Sequence, residues 1–230
     1  MLAPTASAAD TDSMRPMGTR VSGVLTGDLT WDVAGSPYWL EGGVRLSAGS
    51  RLRIEPGVQV MFNESGLNVE GDLEALGTPA NPILFTRNGT SPLVVYVISS
   101  GGSMVFRNAS FDFVTPGMGD VPGADFVLDN ATLRLTVGPF INAARNVVIT
   151  RSRIALTAAS NGIAFSGSSS ITISHNLITS WPGSPVGSGI QDSTGGGPFP
   201  MNRRVTIVGN VVEGSGFGLG IWVRSNGTLV

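Results

Sequence analysis

The 230-residue chain contains no cysteine. That excludes a disulfide framework, a thiolate metal centre and a cysteine nucleophile, so stability has to come from burial and backbone pairing. Lysine is missing as well: all 14 basic residues are arginine, spread thinly against 16 acidic residues for a formal net charge of -2. With no basic stripe there is no electrostatic footprint for nucleic acid, which is not an expected partner. The one histidine, His175, has no second imidazole to complete a zinc site or a relay, and reads as a turn residue. Long apolar runs are also absent. The longest, Leu93 to Ile98, suits a buried strand and falls far short of the ~20 residues that cross a bilayer, so no integral membrane helix is expected.

What the chain has in quantity is glycine (32) and proline (14), a fifth of the residues, interleaved with short Val, Ile, Leu and Phe runs too apolar for disorder. Residues 1–20 are the exception: rich in Ala, Ser, Thr and Pro and without periodicity, they read as a disordered leader. In that leader Ala6-Ser7-Ala8, followed by Ala9-Asp10, is like the small-residue end of a signal peptide, so a secreted or cell-surface location is expected. Residues 21–230 read as one repeat domain. Trp222 to Val230 stops just after a strand with no polar capping segment, so the chain is expected to be part of a longer polypeptide, truncated at its C-terminal end.

The repeat is visible as self-similarity. Val44/Leu46, Leu52/Ile54 and Val58/Val60 are alternating strands separated by Ala48-Gly49-Ser50 and Glu55-Pro56-Gly57. They recur as Leu67/Val69, Leu73/Ala75 and Ile83/Phe85, at offsets of 23, 21 and 25. In a second register, Phe106-Arg107-Asn108-Ala109-Ser110-Phe111 is echoed by segments beginning at Leu128, Ile149, Ile173 and Ile207, in steps of 22, 21, 24 and 34. The pattern predicts an all-β fold, a single-stranded right-handed parallel β-helix (solenoid) with about 22 residues and three short strands per coil. Asn176 and Asn210 occupy one place in their repeats, with Ser152 before them, and are expected to accept the left-handed bend between strands while their amides bond along the stack.

The last three repeats each carry a Gly-Ile strand: Gly162-Ile163, Gly189-Ile190 and Gly220-Ile221. The coil between Asn176 and Asn210 exceeds its neighbour by ten residues, inserted on both sides of the strand at Ile190. Insertions in a solenoid become loops on one side, and loops are where binding function concentrates.

Gly27-Asp28-Leu29-Thr30-Trp31, Gly35-Ser36-Pro37-Tyr38 and Leu52-Arg53-Ile54-Glu55-Pro56-Gly57-Val58 resemble the opening coils of bacterial secreted right-handed β-helix repeat proteins. Ile171-Thr172-Ile173-Ser174-His175-Asn176 and Val205-Thr206-Ile207-Val208-Gly209-Asn210 are similar to the parallel β-helix repeat of the pectate-lyase-like superfamily. The resemblance covers roughly Val21 to Val230 and implies the fold. It does not choose a function, because that superfamily spans lyases, hydrolases, epimerases, adhesins and structural surface proteins.

Chemistry is scarce. A polysaccharide-cleaving site needs paired carboxylates, or acidic residues holding calcium near a base. The Asn-Thr-Asp, Asp-Asp and Gly-His-Gly pattern of polygalacturonases is absent. Glu70, Asp72 and Glu74 alternate with apolar residues and are expected on the outer face of one strand, a solvated acidic face or a weak calcium site. Calcium is the only cofactor the reading admits. Around the long coil (182–204), alternation turns Ile163, Ile190 and Ile221 inward and sets Ala164, Gln191 and Trp222 in an outward column, where Trp222 would stack on a sugar ring and Gln191 bond its hydroxyls. Trp181 opens the insertion and Arg203-Arg204 closes it. Asp192 falls where Phe165 and Val223 are apolar, so it has to be paired or turned outward. Trp31, Tyr38 and Trp39 are expected to cover the first rung.

Two readings follow. One is a non-catalytic extracellular or cell-surface module, a scaffold, adhesin or glycan binder using Trp181, Gln191, Asp192 and Trp222. The other is a polysaccharide lyase or epimerase acting on an acidic polysaccharide through Asp192, Arg203 or Arg204. The scarcity of paired carboxylates favours the first.

Overall fold

Alternating sequences such as Arg51-Leu52-Arg53-Ile54 set apolar side chains on one face of a pleated strand and charged ones on the other, and that alternation is the burial pattern found. The computed structural model describes residues 18–63, 66–89, 95–158, 160–180, 186–193, 203–214 and 217–223, with the backbone alone at 186 and 217–219. The described structure is all-β, its helical content a three-residue 3-10 turn at Val33–Gly35.

One sheet has eight strands: Asp28–Trp31, Arg51–Ile54, Asp72–Leu76, Met104–Arg107, Asp125–Asp129, Asn146–Thr150, Ser170–Ser174 and Arg204–Val208. Its seven successive pairings are all parallel, so the chain is a parallel β-solenoid of about seven turns. A second, 16-stranded sheet runs in two arms that meet in the long strand Tyr38–Leu46. The first arm continues through Gln59–Asn63, Ile83–Arg87, Ala109–Asp112, Thr132–Leu135, Arg153–Leu156, Leu177–Ser180 and Val211–Glu213. The second continues through Leu67–Val69, Val95–Ser99, Val114–Asp120, Phe140–Asn142, Ile163–Ser166, Val186–Asp192 and Phe217–Trp222. Thr19–Leu25 lies against Tyr38–Leu46, so Thr19 and Arg20, assigned above to the leader, are already in a strand. Residues 1–17, with the signal-like Ala6-Ser7-Ala8, are outside the described residues.

The repeats read from the sequence are the registers found. Val44 and Leu46 pair with Leu67 and Val69, and Leu52 and Ile54 with Leu73 and Ala75. Phe106, Leu128, Ile149, Ile173 and Ile207 stack in one column. Inward residues of both sheets close on one continuous core. Its centre is aromatic: Phe85 stacks on Phe111 at 4.8 Å, and Phe106 meets both edge-on. Trp31 and Tyr38, buried and stacked at 4.6 Å, fill the first turn, while Trp39 faces outward beside Met61. Burial raises the Tyr38 pKa, and its phenol oxygen accepts the Asp32 N–H.

The bend between the eight-stranded sheet and the first arm corrects one expectation. The left-handed residue is Asn108, Asn130, Arg151, His175 and Gly209 on successive rungs, with φ of 47°, 50°, 51°, 56° and 62°. Asn176 and Asn210 therefore do not make the bend; they sit one residue after it. There Ser152 and Asn176 are buried, and each backbone N–H donates to the side-chain oxygen on the next rung: Ala131 to Ser152 (3.1 Å), Ser152 to Asn176 (2.9 Å) and Asn176 to Asn210 (3.0 Å). The amide of Asn176 also donates to Asn210 at 2.9 Å, so the expected bonding along the stack is present. A short bend leaves these N–H groups without strand partners, and the ladder supplies acceptors.

Candidate functional site

The long coil is positioned by a glycine column where the chain turns into the second arm. A Cβ on Gly138 would lie 2.2 Å from the Gly162 carbonyl oxygen, on Gly162 2.3 Å from that of Gly189, and on Gly189 2.6 Å from that of Gly220. Only glycine lets the rungs close at 138, 162 and 189, which is why Gly162-Ile163 and Gly189-Ile190 open with it; Gly220 supplies the carbonyl that Gly189 meets, and a Cβ on Gly220 itself would meet nothing within 4 Å. The residues beyond it fall into register: Ile163 pairs with Ile190 and Ile190 with Ile221, Ala164 with Gln191 and Gln191 with Trp222. Ile163 and Ile190 are fully buried as expected. Ile221 is 45 % exposed, because no described strand pairs beyond Phe217–Trp222. Gln191 and Trp222 are half-buried and outward, on the face predicted for them. Trp181 and residues 194–202 of the long coil are outside the described residues.

Asp192 takes the inward position opposite Phe165. The side chains of Asp192 and Arg203 are 0 % and 3 % exposed, and a guanidinium N–H of Arg203 donates to a carboxylate oxygen of Asp192 at 2.7 Å. The Arg203 Nε–H donates to the Ser168 carbonyl at 3.1 Å, and the guanidinium lies 5.4 Å from the Phe165 ring centroid. The pair thus sits inside the coil, where it fastens the chain entering 194–202 to the chain leaving it. Arg204 is brought to neither group: it begins the next strand, beside Ser170, with its side chain in solvent. Of the three residues proposed for catalysis, two meet, and they meet out of reach of the outer face.

Asp72 and Glu74 share the outer face of Asp72–Leu76, paired in register with Arg51 and Arg53. Glu70 is not on that strand. It lies before Gly71 and reaches Arg45 at 3.4 Å, while Asp72 accepts the Ser103 N–H at 3.0 Å. An open groove of about 430 Å³ runs past Asp28, Glu70 and Asp72, with Arg51 also in its wall. Among the described residues, no three Asp, Glu, His or Cys side chains are close enough to hold a metal ion. His175 is a solvent-exposed bend residue against Gly209.

Two features of the second arm escaped the sequence reading. Phe140 stands in the outward column directly before Ala164, and Tyr96 meets its ring at 5.9 Å, nearly perpendicular. The signal was present: Gly138 precedes Phe140 by the same two residues that separate Gly162 from Ala164. At the neighbouring corner, Phe113 has φ of 57° and is flanked by Arg87 and Arg134, each within 5 Å of its ring centroid at 4.8 and 4.6 Å.

No protein-family model, curated protein or solved structure matches the chain. Its class is therefore defined by the stacking itself, an all-β parallel solenoid.

Proposed function

We propose that this chain is a non-catalytic module of the extracellular space or cell surface, a glycan-binding scaffold that makes contact through the second arm at the long coil. The coil is right-handed and three-stranded in this reading. Crossover connections between parallel strands are almost always right-handed, and beyond the first turn sheet partners stand three strands apart in chain order. A bacterial, pectate-lyase-like origin remains the proposal of the sequence resemblance.

The observation that carries the reading is the division between the two faces of one strand. The ionic pair of the long coil faces inward with almost no solvent contact, whereas Gln191 and Trp222 stand in register on the outer face. An acid or base must come within hydrogen-bond reach of the proton it moves. An indole and an amide on the outside offer a ring face and hydrogen bonds, the groups that recognise sugars.

The test is a panel of purified polysaccharides, with and without calcium, followed for binding and for the ultraviolet absorbance of unsaturated uronates. The expected result is binding without turnover, weakened by Trp222→Ala. Calcium-dependent growth of the absorbance, lost in a folded Asp192→Asn variant, would establish a polysaccharide lyase and overturn the proposal.

A further inference from the structure

We propose that the ligand is an uncharged linear glycan lying along the solenoid axis on the outer face of the second arm, with Phe140 and Tyr96 as its apolar ledge. The inference rests on the glycan-binding reading and adds to it the class of ligand and two contact residues.

Geometry is the first support. The outward column of the arm runs Ile98, Gly117, Phe140, Ala164, Gln191, Trp222, one residue per rung. Rungs repeat at about 4.8 Å, close to the advance of one sugar ring in an extended chain, so a glycan along the axis meets about one side chain per ring. Phe140 occupies the space a side chain at Gly117 would need: a Cβ there would lie 2.9 Å from its ring. With Tyr96 against its edge, this makes a ledge of two half-buried rings. Ala164 keeps the next rung low, and Gln191 then offers an amide. Along one margin runs a polar column in which the Ser166 hydroxyl donates to the Asn142 side-chain oxygen at 2.7 Å, with Ser193 one rung on.

Charge is the second support, and it selects the ligand. No residue of that column is charged. The ion pairs of the described residues lie elsewhere: Arg134 with Asp112 on the first arm, Arg145 with Asp125 and Arg151 with Asp129 on the eight-stranded sheet, Arg45 with Glu70 at the start of the second arm, Arg20 with Glu41 at the first rung, and Arg203 with Asp192 inside. Asp120 is exposed at the margin of the strip beside Asn142. Among the described residues the strip has no cation and has an anion at its edge; this disfavours a polyuronate and suits a neutral chain, which presents C–H faces to aromatic rings and hydroxyls to amides. An aromatic ring lying over a glycine is also a packing device of β-sheets; packing alone predicts no effect on ligand binding.

Electrophoresis of the full chain through native gels containing galactomannan, xylan or mixed-linkage β-glucan, against gels containing polygalacturonate or alginate, tests the proposal. Retardation in at least one neutral gel is expected, unaffected by added salt, weakened about fivefold by Phe140→Ala and retained by Phe140→Tyr. Should Phe140→Ala fail to melt cooperatively, Gln191→Ala takes its place with the same expected loss. Salt-sensitive retardation by the polyuronates alone would overturn this inference and leave glycan binding standing. Neutral retardation equal in the variants and the parent chain would overturn the strip, and no retardation in any gel would overturn both readings.

Discussion

Asp192 and Arg203 carry opposite charges into a place that water does not reach, their side chains 0 % and 3 % exposed. Desolvating two ions costs several kcal/mol each, which their mutual attraction and hydrogen bonds offset. Removing one partner leaves the other charge uncompensated, so Asp192→Ala is expected to cost about 3–5 kcal/mol in urea unfolding. Replacing both, Asp192→Leu with Arg203→Met, is expected to cost less than the single change. Asp125 behaves differently because it is partly in solvent. Its hydrogen bond from Arg145 lowers its pKa, against a smaller opposing effect of burial and with further help from Asn146. A carboxylate with a lowered folded pKa contributes stability that is complete above its unfolded pKa of about 3.9 and is lost as pH falls through the folded value. The stability difference between the parent chain and Asp125→Asn, measured by urea unfolding across pH, is therefore expected to be level above about pH 5 and to shrink below pH 4. That Asp192 falls at a position where neighbouring repeats carry apolar Phe165 and Val223 was legible, but the sequence leaves open whether it is paired inside or turned outward. Which arginine joins it was not legible either, since Arg203 and Arg204 are adjacent and a shift of one residue exchanges the faces of a strand.

At the scale of the element, the turns decide what the strands can do. The bend after the eight-stranded sheet was located correctly by the repeat, but its left-handed residue was assigned one position late at Asn176 and Asn210. Asparagine fits both jobs, bending and laddering, and composition alone does not distinguish them; Asn108 and Asn130 do both, the Asn130 amide donating to the Asn108 side-chain oxygen at 2.6 Å, whereas Asn176 and Asn210 ladder without making the bend. Gly162 has a single role. Its added Cβ would stand 2.3 Å from a backbone oxygen of the next rung, and backbone cannot step aside. Gly162→Ala is expected to lower stability by at least about 2 kcal/mol. Gly43→Ala, where a Cβ meets nothing within 4 Å, should stay within about 0.5 kcal/mol of the parent chain. Comparable melting temperatures for the two variants would remove the glycine column as the reason the Gly-Ile strands align.

Over the whole molecule, periodicity was the legible quantity. Offsets of 21 to 25 residues between alternating strands translate directly into parallel registers, because each rung must bring the same face inward. The outward column of Ala164, Gln191 and Trp222 followed from that periodicity. Tyr96 and Phe140 did not, since Phe140 follows Gly138-Pro139 where the later repeats have Gly-Ile, and its repeat was not recognised. Gln191, Asp192 and Trp222 are brought into place by the rung-by-rung register, so the register is the claim on which the account depends. The absence of native cysteine permits a direct measurement: nitroxide labels at Met61→Cys and Thr179→Cys, read by pulsed electron–electron double resonance. These positions are 118 residues apart in sequence and joined by five parallel steps through Thr86, Asp112, Arg134 and Ala155. The account predicts a single narrow distance distribution near 24 Å, five rungs of about 4.8 Å. A broad distribution, or one centred well beyond 35 Å, would contradict the stacked solenoid and with it the placement of the binding face.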